Sequence, residues 1–196
     1  MRTNPLLKKL KRGPQVVLPK DIGAIIAFTG VGKTSRVVDA GAGSGWLAIS
    51  LGNIAKSVVT YERRDDFAKL VEENIRRAGL KNVKVKRKDV FEGIGERNVD
   101  LVTLDLADSH AVVKSAYNAL REGGFVVGYL PHAEQASEFA RECRNVGFGG
   151  IFTIECIVRE MLVRDRGFRP ENFGLWHTAY LLFARKEDGE NKAGGS

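Results

Sequence analysis

Four acids and a run of glycines carry the chemical content of this 196-residue sequence. Asp39 opens DAGAGSG, residues 39–45, where Gly41, Gly43 and Gly45 free the backbone to turn sharply and approach a ligand closely. Glu62 ends VVTYE, Asp89 closes KRKDV and Asp105 follows VDLVTL. A dinucleotide loop of the GxGxxG type would need its third glycine at Trp46, whose side chain would obstruct a pyrophosphate. A carboxylate at the loop mouth, Asp39, would repel pyrophosphate and attract an ammonium group. That combination suits S-adenosylmethionine, whose methionyl end carries a cationic amine. Glu62 can accept both hydroxyls of a ribose, and Asp89 can accept from the exocyclic amine of adenine. Asp105 stands where a methyl acceptor should arrive. Any one of these acids could be a solvated strand end or a helix cap. Acids at successive strand ends, all facing one crevice, point to a ligand.

Other chemically capable residues give weaker signals. Tyr129 ends VVGY and could stack on a planar base or close the pocket, or be a core aromatic. His177 in WHTAYL could contact RNA phosphate, order the pocket or be structural. His110 and His132 have no third partner at metal-ligand spacing, so no metal site is expected. GVGKT at 30–34 mimics a triphosphate loop, but the required upstream glycine is Ala27, and the lysine precedes a strand instead of opening a helix.

These residues need a scaffold of alternating strands and helices. RVVDA, SVVTYE, VDLVTL and GFVVGY (124–129) read as strands. Val83 and Val85 alternate with Lys84 and Lys86, as an edge strand with one wet face would. Helices are expected over 45–52, 65–78, 109–121 and 133–146, and another over IGAIIAF with Asp21 as its cap. Two β-rich runs, IFTIECIVREMLV and HTAYLLFARK, close the chain on either side of DRGFRPENFGLW. The expected architecture is α/β: a doubly wound, mostly parallel seven-stranded sheet with a terminal antiparallel strand pair, of the Rossmann-like kind. The expected organisation is a basic, partly extended lead over 1–20, a catalytic domain over 21–186 and a frayed tail over 187–196.

Composition sets the outer bounds. Apolar residues are 43% and charged residues 28%, an ordinary soluble globular balance, and no apolar run approaches the roughly 18 residues of a membrane span. Cys143 and Cys156 lack CxxC spacing and read as buried thiols in a reducing cytoplasm. The net charge of +7 favours a polyanionic partner. Residues 1–20 hold six basic side chains and no acid, and Arg76 through Lys88 form a second acid-free block. Either block alone is as well explained by a solvated face.

On RGPQVVLPKDIG, VVDAGAGSGWL, YERRDDFAKLVEEN, DLVTLDL, GGFVVGYLP and VREMLVRDRGFRPEN…HTAYLLFARK, the chain resembles class I S-adenosylmethionine-dependent methyltransferases. Within them it resembles the tRNA (adenine-N1) methyltransferases that modify position 58 in the T loop. The glycine loop is widely shared, whereas QVVLPKD, YLP and RP…HTAYL in this order are selective. The resemblance implies that Asp39, Gly41, Gly43 and Gly45 serve the methionyl end, Glu62 the ribose and Asp89 the adenine. It also implies that Gln15 helps close the pocket, that Asp105 and Tyr129 act on the acceptor base, and that Arg159 and His177 lie near the acceptor cleft. It implies tRNA as partner, S-adenosylmethionine as cofactor, and self-association, where tetramers are usual.

Three departures stand out. Leu18 replaces a family aromatic or histidine, ADSH (107–110) replaces a proline- and tryptophan-containing segment, and the family's small N-terminal β domain has no counterpart before residue 12. Two alternatives stay open: methylation of a corrinoid precursor, whose enzymes use the same loop on a small domain, and a catalytically silent RNA-binding subunit.

Overall fold

A computed structural model describes residues 4–13, 15–172, 174 and 176–187. Arg2 and residues 188–196 of the expected tail lie outside the described residues. Strands β1 (Arg36–Ala40), β2 (Ser57–Tyr61), β3 (Val83–Lys86), β4 (Val99–Leu104), β5 (Leu120–Leu130), β6 (Gly149–Glu155) and β9 (Tyr180–Arg185) form one sheet in the order β3-β2-β1-β4-β5-β9-β6. The first five are parallel, and β9 runs antiparallel between β5 and β6. β3 is the edge strand its alternating lysines foretold, and such lysines discourage edge-to-edge pairing. Strand order reverses between β1 and β4, which creates a crevice at the carboxyl ends of the central strands.

Both sheet faces are covered. Helices α2 (Pro19–Thr29), α3 (Trp46–Gly52) and α4 (Asp65–Ala78) pack one face, with Ile25, Ile49, Val71, Leu101, Leu181 and Phe183 among its buried side chains. Helices α5 (Val113–Ala119) and α6 (Ala133–Val146) cover the other, around Leu104, Val113, Leu130, Phe139 and Leu182. The split of Leu181 and Phe183 from Leu182 is the period of two expected in a strand buried on both faces. In α4, Asp65 and Asp66 stand in the first turn and Arg76 and Arg77 in the last, complementing the helix dipole.

Four local expectations are corrected. Asp21 does not cap α2: Pro19, with its preset φ, opens the helix behind Leu18, and Asp21 is fully buried against Lys20. The helix expected over 109–121 is a 3-10 turn (Ser109–Val112) followed by the shorter α5, because Leu120 turns extended and pairs with Val99. β5 accordingly begins four residues before Gly124, with a register shift against β4 between Val99 and Leu101. The run IFTIECIVREMLV divides: IFTIE joins the sheet as part of β6, while β7 (Met161–Arg164) pairs with β8 (Gly167–Pro170) in a separate hairpin. Gly167, at φ +121, lets the two-residue turn Asp165–Arg166 close.

The basic lead carries structure of its own. Helix α1 (Pro5–Lys8) is capped by the Asn4 side chain, which accepts from the Leu7 amide at 2.9 Å, and Leu7 and Leu10 are buried in the core. The chain then crosses over the glycine loop towards α2. Among the described residues, no helix is long and apolar enough to cross a membrane.

Candidate active site

A cavity of about 530 Å³ opens at the strand-order reversal, a size suited to a nucleoside-bearing ligand. Gln15, Gly41, Gly43, Glu62, Asp89 and Asp105 line it, brought together from five separated stretches of sequence. The loop after β1 starts with Gly41 at φ +88, where a β-carbon would collide with the Asp105 carbonyl. The Asp105 amide in turn donates to the Ala40 carbonyl at 2.9 Å. The glycine loop and the end of β4 are thus in direct backbone contact.

Glu62 is held with both carboxylate oxygens engaged. The Gly43 amide donates to one at 3.3 Å, and the Arg64 amide donates to the other at 3.0 Å. Each oxygen keeps further acceptor capacity for a diol. Asp89 accepts from the Phe91 amide at 3.1 Å and from the Arg63 guanidinium at 3.1 Å, and these donors hold its carboxyl below the usual range. Asp105 differs: its side chain has no hydrogen-bond partner among the described residues. Burial, together with the charge of Asp39, pushes its pKa up to about 7.

Several sequence-derived candidates lie outside the cavity wall. Asp39 is buried within the sheet and accepts from Thr60 at 2.6 Å and Thr103 at 2.7 Å, on the strands either side. Burial raises its pKa in spite of those bonds. Gly45 precedes α3 as its N-cap at φ +82, and a β-carbon there would press on Val71 of α4, so its place is in packing. Tyr129 is half-buried beyond Asp105, and burial plus the charges of Asp21 and Asp105 push its phenol up to about 12 against a hydrogen bond with Thr178. It therefore stays protonated at neutral pH. Arg159 stacks on Trp176 at 5.4 Å. His177 spans Glu155, at 2.6 Å from Nδ1, and the Pro131 carbonyl, at 2.9 Å from Nε2.

Sequence reasoning missed several contributors. Arg63, Arg64, Phe67, Lys88, Phe91 and Leu106 also line the cavity, with the Arg64 guanidinium 3.5 Å from the Phe67 ring centroid. Adjacency to Glu62 and Asp89 was the available signal for most of them. Asn74 was legible as a polar residue within the apolar stripe of α4. Fully buried, it accepts from the Lys11 amide at 2.8 Å and donates to the carbonyls of Lys11 at 2.9 Å and Ser44 at 2.8 Å. It thereby clamps the N-terminal strap that carries Gln15 onto the glycine loop. A second cluster was invisible: Lys20 Nζ reaches Asp21 at 2.8 Å, the Cys156 carbonyl at 2.6 Å and Thr178 at 2.6 Å, tying α2 to the ends of β6 and the approach to β9.

S-adenosylmethionine fits this donor set. Side-chain-free backbone at Gly41 and Gly43 would leave room for a methionyl part, and Glu62 presents two oxygens oriented by the Gly43 and Arg64 amides. The family described as tRNA methyltransferase complex GCD14 subunit matches residues 6–175. A Methanocaldococcus jannaschii protein named tRNA (adenine(57)-N(1)/adenine(58)-N(1))-methyltransferase TrmI is 37% identical over 92% of this chain and 74% of its own length. Two crystal structures superpose with TM-scores of 0.87 over 93% of this chain. One is described as tRNA (m1A58) methyltransferase TrmI from Aquifex aeolicus, at 30% identity over 74% of that chain. The other is described as a SAM-dependent O-methyltransferase from Thermotoga maritima, at 32% identity over 70% of that chain. A precorrin-8w decarboxylase structure, at 19% identity, shares the fold alone. Fold and crevice together define a Rossmann-like methyltransferase. Within that class, the chain belongs to the GCD14 family of tRNA methyltransferases.

Proposed function

We propose that this protein transfers the methyl group of S-adenosylmethionine to N1 of an adenosine in tRNA, in the T loop at position 58 or an adjacent adenosine. The observation that carries this reading is Asp105: a carboxyl without a hydrogen-bond partner among the described residues, at the end of β4, on the wall of the cavity that Glu62 also lines. S-adenosylmethionine supplies an electrophilic methyl group on a sulfonium. Glu62 would accept from its ribose hydroxyls, the backbone at Gly41 and Gly43 would take its methionyl part, and Asp89 would accept from the adenine amine while keeping its link to Arg63. Gln15 closes the same wall. Asp39 acts from beneath, holding the strands through Thr60 and Thr103 and lending negative potential.

Adenine N1 is a nucleophile when neutral, so no strong base is needed to expose its lone pair. The acceptor base must be taken out of its stack and N1 aligned with the methyl group. Transfer leaves the base cationic. Ionised Asp105 would accept from the exocyclic amine, orient the ring and stabilise the positive charge as it develops. Tyr129, protonated, would bound the base pocket behind it. Arg159 and His177 belong to the acceptor side, which His177 supports through Pro131 just after β5.

The exposed apolar side chains of the β7–β8 hairpin, Val163 and Phe168 above all, support self-association with further copies, tetramers included. A tRNA substrate is consistent with a cytoplasmic location. The test is incubation with labelled S-adenosylmethionine and unmodified tRNA, followed by nucleoside analysis. A 1-methyladenosine product is expected. A different methylated nucleoside, or label entering only a tetrapyrrole precursor, would overturn the assignment.

A further inference from the structure

The β7–β8 hairpin pairs with no other strand among the described residues, and its register sorts its side chains by chemistry. In an antiparallel pair, opposed residues project from one face and successive residues alternate. Met161 opposite Pro170 and Val163 opposite Phe168 share one face. Leu162 opposite Arg169 and Arg164 opposite Gly167 share the other, with Arg166 in the turn. One face is thus apolar and the other is lined with guanidinium groups.

Those guanidiniums have no carboxylate partner among the described residues. Arg164 and Arg166 make no ion pair or hydrogen bond among the described residues, and Arg169 reaches only the Pro170 carbonyl at 3.4 Å. Asp165 sits beside Arg166 in the turn. The longer basic block is different, because carboxylates neutralise much of it: Arg77 pairs with Glu73, Lys86 with Glu96, Arg87 with Glu72 and Lys88 with Glu92. Four cations of the densest basic run in the sequence are thus paired, whereas Arg164 and Arg169 share one face of the hairpin with no carboxylate on it.

The hairpin is also placed at the acceptor end of the site. Its flanks are held at the carboxyl ends of the strands: Glu155 and Tyr180 pair across β6 and β9, Tyr180 pairs with Leu130 of β5, and His177 bridges Glu155 to Pro131. Tyr129 and Asp105 stand on the same rim of the sheet. We propose that the arginine face of this hairpin, Arg164 and Arg169 with Arg166 at the tip, is a docking surface for the phosphate backbone of the RNA substrate, outside the nucleoside-sized cavity. This rests on the tRNA reading above and adds to it where the polyanion lies.

The test is steady-state methyl transfer to tRNA across a salt series, with the full chain and the R164E/R169E variant. A phosphate contact releases counterions, so losing two should lower the slope of log affinity against log salt by about 2. KM for tRNA should rise at least about tenfold, with S-adenosylmethionine affinity by calorimetry unmoved. R164K/R169K should retain most of the salt slope, since a phosphate accepts either cation. An unchanged slope and KM in R164E/R169E, or an equal loss in the lysine variant, would overturn the proposal while leaving tRNA methylation intact. A wild-type chain that binds S-adenosylmethionine and methylates no tRNA would sink both readings together.

Discussion

The carbonyl of Asp105 occupies the space that a β-carbon on Gly41 would need. The backbone of the glycine loop and the backbone at the end of β4 are therefore in contact, so a shift of either strand end presses on the other. Glycine at 41 is required twice, by its φ of +88 and by this approach.

Gly41→Ala should consequently damage binding and stability together. The positive φ alone costs about 1–2 kcal/mol for an L-residue, and relieving the collision displaces Asp105 as well. Calorimetry with S-adenosylmethionine should show at least a tenfold loss of affinity, and thermal unfolding a lower Tm. Gly30, also at positive φ (+65) but with open space around it, provides the comparison. Gly30→Ala should cost stability only and leave affinity intact.

Asp105, with its pKa up to about 7, should write itself into the pH dependence of both rate and stability. Only the ionised carboxylate offers a full negative charge to the cation that develops, so kcat/KM for tRNA should rise through about pH 7 in the free enzyme. A bound sulfonium would lower this pKa, placing the midpoint of the kcat profile below that of kcat/KM. Asp105→Asn should flatten the step and reduce turnover by orders of magnitude while S-adenosylmethionine still binds. For stability the sign is the reverse. A carboxyl with a raised folded-state pKa favours the fold fully below its ordinary pKa, and that contribution is lost as pH rises through about 7. Asp105→Asn should therefore unfold at a higher temperature than wild type at pH 8. A variant less stable at pH 8 would contradict a buried, unpartnered charge.

Asn74 makes all three of its clamp bonds from a fully buried position. Asn74→Leu would leave the Lys11 amide and the carbonyls of Lys11 and Ser44 without that partner, costing about 2 kcal/mol or more. Because the strap carries Gln15 to the cavity, KM for S-adenosylmethionine should rise more than kcat falls. Trypsin should cut faster after Lys11 and Arg12. An unchanged cutting rate would mean that Leu7, Leu10 and the Lys11–Glu73 pair hold the strap without Asn74.

His177 sits between two acceptors, the Glu155 carboxylate and the Pro131 carbonyl, and only the imidazolium can donate to both. Its pKa is raised, first by the Pro131 carbonyl and then by Glu155. The stabilisation is complete below the ordinary histidine pKa and lost as pH rises through the elevated one. Proton-detected titration of the ring should give a value above that of a free histidine. The Tm of wild type should fall from pH 6 to pH 8 more than that of His177→Ala, as the neck of the hairpin loosens.

The sequence alone determined the sheet, because period-two apolar runs alternating with helical stripes admit few other arrangements, and the glycine loop with acids at strand ends marks the crevice of such a sheet. It placed Glu62 and Asp105 on one cavity, each directly after its strand, and Asp89 with them, although Asp89 does not close β3 but lies three residues past it and caps the 3-10 turn Val90–Glu92. It could not separate Asp39 and Gly45 from the loop residues that face the cavity. Whether a side chain at the loop root points into solvent or into the sheet depends on Thr60 and Thr103, supplied by neighbouring strands. Only the tertiary structure decided that Lys20 and Asp21 are a buried pair and not part of a basic lead and a helix cap. Only it decided that Arg77, Lys86, Arg87 and Lys88 of the basic run 76–88 are paired with carboxylates while the hairpin arginines are not. Charge in a sequence is a sum over neighbours along the chain, whereas free charge in a fold depends on carboxylates brought from elsewhere, and those distances are set by packing.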